Sequence, residues 1–108
     1  MYVKVITDTL KLHLNRSYAK WAETCPNEPL KFAGYNIYNT SGEIIDATLA
    51  ARDSFPYFNE NLAIIGKSKS GPLALDYSGN LYHCGRTLKR LDRSISEFIQ
   101  RQSVEVHT

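Results

Sequence analysis

The chain has 108 residues, 43% of them hydrophobic and 22% charged, and a net charge of +2. That composition suits one globular domain over residues 1–108 and excludes a disordered chain. The charge is too small to mark a nucleic-acid binder by itself, and no apolar run reaches membrane-spanning length.

At the start of the chain, Val3, Ile6, Leu10 and Leu14 fit one helical face, whereas Leu10, Leu12 and Leu14 alternate as in a strand. A short helix followed by an extended piece is expected. Ser17 is placed to cap a second helix, in which Tyr18, Trp21, Ala22 and Cys25 form an apolar stripe. Pro26 and Pro29 stop it. Leu30 to Ala33 and Tyr35 to Tyr38 alternate weakly around Gly34, as short extended segments or an irregular connector. Thr40-Ser41-Gly42-Glu43 has capping-box spacing: the Thr40 hydroxyl accepts from the Glu43 amide, and the Glu43 side chain returns to Thr40. The helix it opens should bury Ile44, Ile45, Thr48 and Leu49 and reach about Arg52. Asp53-Ser54-Phe55-Pro56 ends it, since a residue before proline avoids the helical region.

The densest pattern lies between Leu62 and Gly85. Leu62 to Ile65 is a short apolar run closed by Gly66, suited to a strand buried on both faces. The polar residues 67–70 and then Gly71-Pro72 form a loop and turn. Leu73, Leu75 and Tyr77 share one face at period two, and Ala74 and Asp76 take the other. Ser78-Gly79-Asn80 offers the positive φ of a tight hairpin. Leu81 to Cys84 returns as the partner strand. This is a three-strand antiparallel meander, stable only if its apolar face is covered. The expected class is therefore α+β, a small antiparallel sheet with helices packed on one face. Beyond it, the run from Arg86 to Arg93 is the most basic part of the chain. If helical, it places Arg86, Lys89, Arg90 and Arg93 on one face. Ser94 to Glu97 forms a second capping box for a final helix docking through Ile95, Phe98 and Ile99, and residues 100–108 fray.

Candidate chemistry is sparse. Gly66-Lys67-Ser68 resembles the end of a phosphate-binding loop, but Asn61 stands where that loop needs glycine, and a strand rather than a helix follows. His83 and Cys84 are strand neighbours and point to opposite faces, so they form no nucleophile–base pair. Cys25 and Cys84 define neither a disulfide framework nor metal-ligand spacing. The carboxylates show no acid–base dyad or metal pattern. No catalytic residue, metal or cofactor is expected. The N-terminal residues lack a signal-peptide layout, which predicts a cytoplasmic protein.

The motif order resembles the SUKH superfamily of small α+β domains, many of them immunity proteins of bacterial toxin systems. Ser17-Tyr18-Ala19-Lys20-Trp21 is similar to its early helix. Asn61-Leu62-Ala63-Ile64-Ile65-Gly66 followed by Gly71-Pro72-Leu73-Ala74-Leu75-Asp76 is similar to its central strands. Ser94-Ile95-Ser96-Glu97-Phe98-Ile99 is similar to its closing helix. The resemblance implies binding rather than catalysis, with a cognate protein toxin occluded. A monomer or weak dimer is expected, with no membrane partner and with a protein partner favoured over nucleic acid. The expected contact residues are Tyr35, Tyr38, Lys67, Lys69, Asp76, Tyr82 and His83, on loops or opposite the Leu73/Leu75 face. The alternative is a nucleic-acid-binding or regulatory module that uses the basic run 86–93. An enzyme built on Cys84 or His83 is the weakest reading.

Overall fold

Local capping decides where the helices begin. Thr40 takes an extended conformation, and its hydroxyl accepts from the Glu43 amide, opening α3 (Ser41–Ser54) as expected. The return contact forms as well: the Glu43 carboxylate accepts from the Thr40 hydroxyl at 2.7 Å. α2 (Arg16–Thr24) is capped by Asn15 rather than Ser17. Asn15 Oδ1 accepts from the Tyr18 amide at 3.0 Å, and the Asn15 carbonyl accepts from Ala19 at 2.9 Å. Ser17 therefore lies within the first turn. α1 (Val3–Leu10) is followed by Lys11 at φ 56°, and the Leu12 amide reaches back to the Thr7 carbonyl at 3.3 Å. That is a Schellman-type end, with a lysine where glycine is usual.

These assignments come from a computed structural model, which describes residues 3–24, 30–32, 34–92 and 97–98. The strands are β1 (Leu30–Phe32), β2 (Tyr35–Ile37), β3 (Ala63–Ser68), β4 (Gly71–Leu75), β5 (Leu81–Cys84) and β6 (Leu88–Asp92). They form one antiparallel sheet in sequence order, with α3 inserted between β2 and β3. The chain is an α+β domain, and the anticipated meander is its centre.

Residues paired across antiparallel strands share a face. Leu75 faces Leu81 and Leu73 faces His83, while Ala74 faces Tyr82. On the first face Ile65, Leu73, Leu75 and Leu81 pack with Tyr18 and Ala22 of α2 and with Phe98. On the second, Ile64, Ala74 and Cys84 pack with Ala51 of α3 and with Phe55, Tyr57 and Phe58. Apolar cover therefore lies on both faces, where one was expected. A third cluster, built from Ile6, Leu10, Leu12, Ile44 and Ala63, joins α1 to α3. Arg52 of α3 also donates to the Leu10 carbonyl at 2.9 Å, satisfying a group the helix end leaves open.

α3 buries Ile44, Thr48 and Ala51, whereas Leu49 is 45% exposed. Its buried stripe is rotated away from the one anticipated because α3 rests against β3 and α1 together. Thr48 makes the contact specific. Its hydroxyl accepts from the buried Ile64 amide at 2.8 Å, next to a bulge between Ile64 and Gly66. Gly66 does not close the strand. β2 crosses so tightly there that a Cβ would lie 2.6 Å from the Asn36 carbonyl oxygen. Cys25, Pro26, Pro29, the 94–96 cap, Ile99 and residues 100–108 lie outside the described residues.

Candidate functional site

The β4–β5 hairpin presents a hydrogen-bonded polar constellation. Asp76 organises it. Asp76 Oδ1 accepts from the Asn80 amide at 2.9 Å, and Oδ2 accepts from Asn80 Nδ2 at 3.0 Å and from the Tyr82 hydroxyl at 2.8 Å. Burial alone would raise the carboxyl pKa, but these bonds outweigh it and hold it below the ordinary aspartate value. Asp76 is thus ionised at neutral pH and committed to bracing the hairpin. Tyr82 is shifted the opposite way, by burial first and then by its bond to the carboxylate, so it remains a donor. Gly79, at φ 100°, closes the turn as anticipated.

Beside the hairpin lies a cleft of about 430 Å³, lined in part by His13, Asn59, Asn61, Asp76, Tyr77 and Tyr82. Tyr77 was expected on the buried face with Leu73 and Leu75. Instead β4 ends at Leu75, and Tyr77 sits in the turn with 61% of its surface exposed. Its carbonyl accepts from Asn15 Nδ2 at 3.1 Å, and its ring stands edge-on to His13, with centroids 6.1 Å apart. A tyrosine held this way offers contact area with little further loss of freedom.

The other anticipated contact residues separate. Tyr38 and Lys67 line a second groove, between α3 and the β3–β4 hairpin. Lys67 lies on β3 rather than in a loop, and Lys69 is exposed in the turn. His83 shares the Leu73 face instead of lying opposite it. There the Tyr35 hydroxyl and His83 Nδ1 are 2.8 Å apart, and the Tyr35 ring also meets Phe98 edge-on. The seven residues thus fall into an Asp76–Tyr82 group, a Tyr35–His83 group, and the Tyr38–Lys67 groove with Lys69 in the adjoining turn. Sequence reasoning missed His13, Asn59, Asn61 and Tyr77. Only Asn59 and Asn61, a polar pair just before an apolar strand, left a local trace.

The basic run is a strand, not a helix. Lys89 faces His83 and Arg90 faces Tyr82, so the two side chains leave opposite faces of the sheet. Arg86 is exposed before β6, and Arg93 lies outside the described residues. The single helical face proposed for these cations does not form. Cys84 is buried beneath Tyr57, and burial raises its pKa, against a smaller opposing effect of the Tyr57 hydroxyl; it is a thiol at neutral pH. Among the described residues, no three His, Cys, Asp or Glu side chains are grouped to hold a metal ion, and no helix is long and apolar enough to cross a membrane. Comparison with protein-family models, curated proteins and solved structures finds no match.

Proposed function

We propose that this chain is an immunity-type protein that binds a cognate bacterial protein toxin in the cytoplasm and neutralises it by covering its active site. The resemblance of the helix and strand motifs to the SUKH superfamily supplies the partner class. The observation that carries the reading is Tyr77: a large ring left in solvent on a hairpin braced from within by Asp76 and from α2's cap by Asn15. Protein interfaces concentrate their energy on such aromatic anchors, surrounded by polar groups like His13, Asn59 and Asn61. An interface of standard size would cover about 800 Å² of this surface.

The test is co-expression with the product of the gene adjacent to this chain's own, as the candidate toxin. The expected result is a co-purifying complex and survival of toxin-producing cells. Tyr77→Ala should weaken the complex by roughly 30-fold while leaving the fold intact, the scale of an interface hot spot. No complex and no protection would overturn the reading.

A further inference from the structure

The second groove has a different character from the hairpin cleft. It holds about 360 Å³ between α3 and the β3–β4 hairpin. On the helix side, Ala47, Ala50 and Ser54 are too short to fill it. Ile64 and Phe55 contribute apolar surface, and Pro72 lies on the strand side. Lys67 is the one charged residue in the lining, and it is exposed. Lys69 stands two residues on, also exposed, and no acidic side chain lines the groove.

We infer that this groove seats one bulky apolar side chain of a partner protein, leucine or phenylalanine, with an adjacent acidic residue on the partner reaching Lys67. The inference rests on the binding role proposed above. The volume is at the low end for ligand pockets, roughly 300–1,000 Å³, which suits a side chain and its flanks. The charge selects the flank, because a carboxylate beside the apolar group is drawn to Lys67 and Lys69, whereas a cation is repelled. A second copy of this chain is the poorer occupant. A two-fold interface pairs the same patch with itself and brings the lysines of both copies together.

The test uses the intact chain and two end-blocked pentapeptides, one with phenylalanine between two aspartates, the other with phenylalanine between two lysines. Binding is followed through backbone amide shifts in NMR titrations. The acidic peptide should shift Ala50, Ala51, Ile64 and Gly71, and bind at least tenfold more tightly than the lysine peptide. Lys67→Glu should reverse that preference. Ala50→Trp, at an exposed position that fills the groove, should abolish the shifts while the rest of the spectrum stays native. Equal binding of the two peptides, a preference unchanged by Lys67→Glu, shifts confined to the hairpin cleft, or tighter groove binding by octanoate would each overturn the inference. Failure of toxin neutralisation with peptide binding intact would sink the functional reading alone. Failure of peptide binding with toxin protection intact would sink the groove alone.

Discussion

The turns at the two ends of β4 are held by different physics. At Ser68–Gly71 the limiting factor is space. Gly71 sits at φ 145°, and a Cβ there would lie 2.4 Å from the Cys84 carbonyl oxygen. Neither Lys69 nor Ser70 has a positive φ, so the glycine carries the unusual geometry. At Asp76–Leu81 the limiting factor is charge: one carboxylate satisfies a backbone amide, a side-chain amide and a phenol. The first turn should be indifferent to pH. The second, although Gly79 also sits at positive φ, should respond to acid.

The strongest way to break this contrast is Gly71→Ala. It should cost about 3 kcal/mol, from left-handed backbone strain and from displacing β5, as measured by urea unfolding. Its deficit relative to the unmodified chain should stay constant between pH 7 and pH 3. Asp76→Asn comes next, at about 1–3 kcal/mol near neutral pH, because two donors would then face an amide. Here the deficit should shrink with acid. A carboxyl whose folded pKa is depressed stabilises the fold above its unfolded value of about 3.9, and that contribution is lost as pH falls through the folded pKa. A deficit that stays constant with pH would mean the hairpin does not depend on the charge. Lys11→Gly tests the steric half with the opposite sign. Removing a side chain from φ 56° should add about 1 kcal/mol and raise Tm by about 4 °C or more. Ser68→Ala should have the smallest effect, about 0.5–1 kcal/mol, because the contacts of its hydroxyl to Ser70 and Gly71 are long.

The contrast also explains what was legible in the sequence. Features fixed by near neighbours could be read: the Thr40 cap, the Gly79 turn, and the alternation of Leu73, Ala74 and Leu75. β6 could not. Leu88 and Leu91 are spaced as on a helix, and the bulge opposite Leu81 and Tyr82 breaks the period of two that would have revealed a strand. The rotation of α3 that exposes Leu49 depends on where α1 and β3 lie, which no local pattern encodes. The candidate site was half legible. Asp76 and Tyr82 stand on either side of one hairpin, and the motif places them close. His13 and Asn59 come from distant parts of the chain and share a cleft with Tyr77 only in the folded protein.

The sequence-ordered sheet has a kinetic consequence. Each strand finds its partner in the adjacent segment, so most strand contacts close short loops at small entropic cost. The step from β2 to β3 is the exception, since the chain must first form and place α3. Docking of that helix, through Thr48 on the Ile64 amide, is therefore expected to limit refolding. Stopped-flow refolding should be slower for Thr48→Val, whereas Ser68→Ala should act mainly by accelerating unfolding.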